Sequence, residues 1–469
     1  MTELSWLTLL PPFVAIGLAL LTRQVYLALF AGIWLGFFLL NGSGFFPSLA
    51  EALDGVLAIL ANAGDAKVVM FTLVIGAFIV TLERSGAVSG FVHFLERIRW
   101  VTNGVRAQWM AWLVGIVIFI ESNITVLVAG TVSRPLFDRY RIAREKLAYI
   151  IDSTSAPVCM LIPLNAWGAF NLGLLDGLGV DDPLKVLLAS IPLNLYAITA
   201  VALTAYTIAR NYNPGPMAAA EARTSSGDVD GLSTTDSSKE NVFGEKSHIK
   251  PRALNMFLPV LVLILAMPLF LWITGDGKIF EGSGSTSVLW ASLTALATVS
   301  VLVLIQRGMT LDELSHTWME GAGRMLPLAI ILVLALALGA VSKALGTGQY
   351  VAGLVGDSIP VGLLPVVIFL VSGVIAFSVG SSWGTFSIML PIAIPVAGAL
   401  GADPVLFVAA VLSGGIFGDH SSPISDTTIV SSLAAGTEHI EHVRTQLPYA
   451  LQAGAISALG FVALGYLML

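Results

Sequence analysis

The sequence predicts an all-α polytopic membrane protein made of two inverted repeats. Each half is expected to have five transmembrane crossings, one of them a broken helix, plus a re-entrant hairpin. Three observations carry this. Hydrophobic residues make up 56% of the chain and charged residues only 11%, with a mean hydropathy of +0.87, which a soluble domain of 469 residues does not show. Apolar runs recur at the roughly 20-residue length that a membrane helix needs. Polar interruptions fall at corresponding places in the two halves.

The remaining composition excludes several classes. One cysteine, Cys159, rules out an internal disulfide and is too little for a thiolate metal site. The net charge of −7 comes largely from loops and does not suggest nucleic acid. Residues 1–22 lack a basic n-region and a small-residue cleavage site, so they read as a first membrane helix. No cofactor is expected, and no enzymatic domain is recognisable.

Ser5–Leu21 and Val25–Leu40 are the first two spans, and Pro47–Leu60 is expected to lie in the interface. Lys67–Leu82 is the third span. Ala107–Gly130 carries Glu121-Ser122-Asn123 near its middle and has arginine clusters on both flanks (Arg97, Arg99 and Arg106 before; Arg134, Arg139, Arg141 and Arg144 after). A simple crossing would put one cluster on the wrong side of the bilayer. A hairpin with Glu-Ser-Asn at its tip keeps both in the cytoplasm, provided that the tip is buried in protein or lines a cavity. Leu147–Phe170 is interrupted by Asp152-Ser153-Thr154-Ser155-Ala156-Pro157, residues that favour caps and turns, and reads as a broken helix. Leu184–Ala209 closes the first half, residues 1–210. Residues 211–252 are polar and read as a disordered or loosely ordered cytoplasmic linker.

Residues 253–469 repeat the plan. Leu254–Ile273, Val288–Ile305 and Met325–Leu345 are spans, and Val361–Ala399 is a second hairpin with Ser378–Thr385 at its centre. A second broken helix surrounds Gly418–Thr428, and Gln446–Met468 is the last span. Leu82–Val92 resembles Ser342–Gly353, and at a similar lag Ser155-Ala156-Pro157 falls near Ser421-Ser422-Pro423. The tip Glu121-Ser122-Asn123 likewise falls near Ser381-Ser382-Trp383, and three such matches in order argue for duplication. An odd number of crossings per half inverts the second half relative to the first.

Two tips and two breaks meeting at mid-depth would form a polar cavity. The acidic candidates are Glu121, Asp152, Asp419 and Asp426. Around them lie Ser122, Asn123, Ser153, Thr154, Ser155, Asn165, Ser381, Ser382, Trp383, Thr385, His420, Ser421, Ser422, Ser425 and Thr427. Such an oxygen-rich, sulfur-free set suits a hard cation such as Na⁺, with Asp419, Asp426 and Glu121 as its candidate ligands. Burial favours the protonated form of a carboxylate, so such a group can exchange a proton for a metal ion. Structural readings stand beside these. Asp152 can pair with Lys146 and Arg144, Asp426 can cap the helix that follows it, Asp419 can pair with His420, and Trp383 can be packing. Glu438-His439-Ile440-Glu441-His442 has metal-ligand spacing but reads as a solvated loop.

Arg141–Cys159, Ser382-Trp383-Gly384-Thr385-Phe386 and Gly418–Thr428 resemble the NhaC family of sodium/proton antiporters, within the wider ion transporter superfamily. One departure is Glu121-Ser122-Asn123, where the family pattern has paired aspartates. The resemblance implies Na⁺/H⁺ antiport in the cell inner (plasma) membrane by a homodimer with elevator-like movement. The alternative is a Na⁺- or H⁺-coupled carrier of a small organic acid or amino acid, of the malate/lactate type. No arginine is expected at mid-depth, which argues against a dicarboxylate. A channel or receptor is a third reading.

Overall fold

Hydrocarbon cannot hydrogen-bond a peptide group, so a chain that crosses it must satisfy each N–H and C=O within the segment. The computed structural model describes residues 6–22, 24–42, 44–97, 101–119, 121–163, 165–226, 249–279, 282–350 and 360–469. Among these residues there are α-helices and short 3₁₀ turns and no strand. Eight of the helices are long and apolar enough to cross a membrane, and eleven spans result if each bent pair counts as one.

The first half runs α1 (Leu10–Thr22), α2 (Val25–Asn41), α3 (Phe45–Ala61), α4 (Ala63–Arg84), α5 (Ala87–Arg97), α6 (Gly104–Val117) and α7 (Ser122–Arg139). It continues with α8 (Arg144–Ser153), α9 (Ala156–Leu161), α10 (Ala166–Gly177), α11 (Pro183–Ser190), α12 (Leu195–Arg210) and α13 (Pro216–Ser225). The second half runs α14 (Leu254–Thr274), α15 (Gly284–Ile305), α16 (Leu311–Ala344), α17 (Leu364–Val379), α18 (Ser382–Ala399), α19 (Pro404–Ser421), α20 (Asp426–Ala435) and α21 (His439–Met468).

Local chemistry sets many of the starts. Asn62, Asn103, Asn165 and Asn194 cap α4, α6, α10 and α12 with their side chains, Asp403 caps α19, and Thr310 with Glu313 forms a capping box on α16. The polar interruptions are real helix breaks. They lie between α6 and α7, between α8 and α9, between α17 and α18, and between α19 and α20. α6 packs on α7, and α17 on α18. α4 and α16 cross at two glycines: a methyl group on Gly76 would run into the carbonyl oxygen of Gly321. Small residues at a crossing let two membrane helices approach backbone to backbone.

Several elements depart from expectation. The expected broken helix Leu147–Phe170 breaks where its polar run falls, between α8 and α9, and has a second break before α10. α10 runs on to Gly177, past the expected end of that stretch at Phe170. Asn171, in this extension, is buried, and its side-chain amide bonds the Trp167 carbonyl. α16 begins fourteen residues before Met325 because the capping box starts it at Leu311. The linker 211–252 is not disordered throughout: α13 docks on α8, with Met217 and Ala220 buried, Glu221 3.5 Å from Lys146 and Arg223 2.6 Å from Glu145. Within the linker, residues 227–248 lie outside the described residues. The expected loop Glu438–His442 is the start of α21.

Candidate functional site

A cavity of about 430 Å³ opens between α4, α16 and the breaks of both halves. α4 supplies Gly76 and Glu83, and α16 supplies Arg324 and Met325. The first tip supplies Glu121, Ser122 and Asn123, the second Gly380, Ser381 and Trp383, and α20 supplies Asp426. Segments far apart in sequence therefore do converge.

Each wall is set by its helix end. Glu121 is the N-cap of α7: its carboxylate accepts from the Ile124 amide at 2.8 Å, the Asn123 side-chain amide at 3.2 Å and the Ser122 hydroxyl at 3.3 Å. Thr125 closes the turn by donating to the carbonyls of Ile118 and Glu121. Ser381 caps α18 through the Gly384 amide at 3.3 Å. Gly380 has φ +70°, and a Cβ there would lie 2.6 Å from the Ile424 carbonyl oxygen, so the second tip rests on the break between α19 and α20. Asp426 is not the cap of α20. Ser425 holds that position, and Asp426 opens the helix with its carboxylate on the Thr427 amide at 3.0 Å.

The charge of the cavity wall is three carboxylates against one guanidinium. Arg324 lies 2.8 Å from Glu83 and 2.9 Å from Glu320, which leaves Glu121 and Asp426 with no ion pair among the described residues. Asn123 Oδ1 is buried there with no hydrogen-bond partner. Two helix N-termini, α7 and α20, bring carboxylates to this wall, where the helix dipole favours negative charge. The net excess of negative charge, with free oxygens beside it, suits a cation.

Asp419 lies behind this wall. It accepts from Ser425 at 2.8 Å and from Ser382 at 3.1 Å, rather than pairing with His420. His420 turns the other way, 3.1 Å from the Ser153 hydroxyl and 2.7 Å from the Tyr196 hydroxyl. Asp152 does not pair with the basic rim: Lys146 bonds Asn211 and faces Glu221, and Arg144 bonds Asp138. Its partners are Gln446 at 2.6 Å and His442 at 3.4 Å.

Other candidates are occupied within their own turns. Thr154 bonds the Ile150 carbonyl, Ser155 that of Asp152, Thr385 that of Ser381 and Ser421 that of Phe417. Ser422 bonds the Phe377 carbonyl, and Thr427 lies 2.9 Å from Ser425. Asn165 ties the end of α9 to the first tip through the Phe119, Cys159 and Ile162 carbonyls. Trp383 does both things proposed for it in sequence: it lines the cavity and packs on Trp167 and Phe170, with centroids 4.7 and 4.9 Å away.

Five residues were not read as part of the site: Arg324, Glu83 and Gln446 were not singled out, and His439 and His442 were read as part of a solvated loop. Arg324 and Glu83 stood at span ends, yet both line the cavity, so an arginine does reach it. His439, His442 and Gln446 share one face of α21. His439 bonds Ser432 and the Pro423 carbonyl, and His442 is fully buried. Their spacing of three and four was the available signal. Among the described residues no three His, Cys, Asp or Glu side chains group to hold a metal, so the metal-like spacing of this run has no counterpart in space.

A model of the Na⁺/H⁺ antiporter family matches residues 177–466. An uncharacterized Haemophilus influenzae protein is 33% identical across 98% of this chain and 91% of its own length. The malate-2H⁺/Na⁺-lactate antiporter of Bacillus subtilis is 30% identical over 36% of each chain. Among solved structures, the Alcanivorax borkumensis YdaH transporter shares the fold with a TM-score of 0.59 at 16% identity, over 89% of each chain. The NhaC-type kinship expected from the motifs is thereby borne out. The chain is a multi-pass membrane protein that belongs to the Na⁺/H⁺ antiporter family of secondary active transporters.

Proposed function

We propose that the protein exchanges Na⁺ for protons at the cavity carboxylates Glu121 and Asp426, with Asp419 as the buried support of the wall. The observation that carries this is their shared position on one cavity without a cationic partner among the described residues. With both carboxylates ionised, the wall attracts Na⁺. Asn123 Oδ1 and the Ser122 and Ser381 hydroxyls supply neutral oxygens that replace hydration water. A proton on either carboxylate removes the charge that holds the cation, so the two ions compete and are carried in opposite directions. Re-entrant tips, inverted halves and a homodimer whose cavity-bearing part moves across the bilayer belong to the same reading, on family likeness. No enzymatic step is needed.

A second reading has one observation in its favour. The cavity is far larger than a bare ion, and Arg324 on its wall is a fixed cation suited to a carboxylate. A small organic acid or amino acid is then the cargo, coupled to Na⁺ or H⁺. Purified protein in liposomes separates the two. If an imposed Na⁺ gradient moves protons with no organic solute present, exchange stands; if flux requires an added acid or amino acid, the first reading fails.

A further inference from the structure

A polar cluster lies in the protein interior, apart from the cavity. Asp152 on α8 and His442 on α21 are both fully buried. Asp152 Oδ2 lies 3.4 Å from His442 Nε2 and 3.9 Å from His420 Nε2. Gln446 donates from the same nitrogen to Asp152 Oδ2 at 2.6 Å and to the His420 carbonyl at 2.7 Å. The cluster is under-satisfied among the described residues: His442 Nδ1, Asp152 Oδ1 and Gln446 Oε1 have no hydrogen-bond partner, and His442 Nε2 meets only Asp152, at 3.4 Å. Buried polar atoms are nearly always partnered, so this group stands apart from the satisfied interior around it.

The surroundings show which charges face this pair. From α8 the imidazole of His442 is faced by Asp152, which His420 also approaches from α19, with Asp419 next in sequence. α20 brings Asp426 within electrostatic reach of Asp152, and α12 brings the Tyr196 hydroxyl onto His420. Glu221 on α13 is already opposite Lys146, and α17 has no titratable residue. On α21 itself His439 is engaged by Ser432 and Pro423, and Glu441 by Arg444. No lysine or arginine is among these partners of Asp152 and His442. With neutral imidazoles the cluster is a buried, uncompensated carboxylate, which is costly. One proton on His442 turns it into an ion pair and supplies two N–H donors.

We propose that Asp152 and His442 form a second proton site, separate from the cation cavity. Its occupancy sets how firmly the Asp419–Ser425 segment is held. The coupling is mechanical and short: Gln446 grips Asp152 and the His420 backbone together, and Asp419 is the next residue toward the cavity wall. The proposal rests on the reading of the cavity as the exchange site, since that is what the segment supports.

The test uses full-length protein, wild type and His442→Gln, in liposomes and in histidine-labelled form for ¹⁵N NMR without Na⁺. The wild type is expected to show a histidine, identified by its absence in His442→Gln, that changes charge across the pH range of the flux profile. The variant is expected to lose the acid-side limb of the Na⁺-driven proton flux profile. Asp152→Asn, which preserves shape, is expected to move the imidazole transition to lower pH, and it serves as the readout should His442→Gln not fold. A His442 that stays neutral throughout, or a variant profile superimposable on wild type, overturns the second site. Absence of Na⁺-driven flux in the wild type with an intact imidazole transition sinks the exchange reading and leaves the proton site standing.

Discussion

The Ser382 hydroxyl donates to Asp419 Oδ2 at 3.1 Å, joining the start of α18 to the end of α19. Ser425 completes the grip on the other carboxylate oxygen at 2.8 Å. This carboxylate is therefore the knot between the second tip and the break in front of α20. Replacing both serines by alanine leaves a buried carboxylate without its hydroxyl donors, a loss of about 1–3 kcal/mol for each bond. Thermal unfolding in detergent should show a clear fall for the double variant, larger than for either single one. An unchanged midpoint would remove Asp419 from this structural role.

Asp426→Asn and Glu121→Gln keep shape and discard charge. Losing a charge-assisted contact to the cation is worth about 1.5–3 kcal/mol, or roughly a tenfold or greater rise in half-saturating Na⁺. Asp426→Asn is expected to show the larger effect, because Glu121 is also committed to capping α7. Wild-type Na⁺ dependence in both variants contradicts the cavity assignment.

Arg324 decides between cargoes. In Arg324→Gln the guanidinium is gone while the cavity carboxylates stay. If an organic acid is carried, its half-saturating concentration should rise tenfold or more, with Na⁺ dependence much less affected. For a pure ion exchanger, uptake of labelled organic acids is absent before and after the change, and freeing Glu83 adds negative charge that favours Na⁺ binding.

Gly380 combines a positive φ with the Ile424 carbonyl at 2.6 Å from any added Cβ. Alanine there meets both a left-handed backbone cost of about 1–2 kcal/mol and a steric clash. Transport is expected to fall with the protein still inserted in the membrane, measured by flux against protein recovered in the membrane fraction. Full activity would show that the tip does not rest on that break.

The docking of α13 rests on two charge pairs from adjacent residues of α8, Glu145–Arg223 and Lys146–Glu221. Glu221→Lys should speed backbone hydrogen exchange across 216–225, and adding Lys146→Glu should restore protection. If the charge reversal has no effect on exchange, apolar burial of Met217 and Ala220 alone holds the helix.

Much of the site was legible because hydrocarbon makes polarity conspicuous. Glu121, Asp152, Asp419 and Asp426 stood out against apolar runs, and the breaks fell where Ser, Thr, Gly and Pro interrupted them. His439, His442 and Gln446 were not legible in that way. They sit in polar opening turns of α21 that look like any solvated segment; the packing of α8 and α19 buries His442 and Gln446, while His439 is half-buried against Ser432 and Pro423. Arg324 was passed over for the same reason, since the capping box that lengthens α16 places it beside the cavity rather than at a span end.

By itself, then, the sequence determined the membrane class, the helical period, the order of the spans and the location of the breaks. Those follow from short-range physics: hydropathy, helix capping and the cost of unsatisfied peptide groups. Which carboxylate faces which partner was decided only by tertiary structure. A glycine crossing, a serine reaching across two helices and an imidazole from the last helix are contacts between distant segments, and no local pattern encodes their pairing. The same aspartate type lines a cavity at 426, knots two helices at 419 and meets a buried histidine at 152, because each is surrounded by different helices.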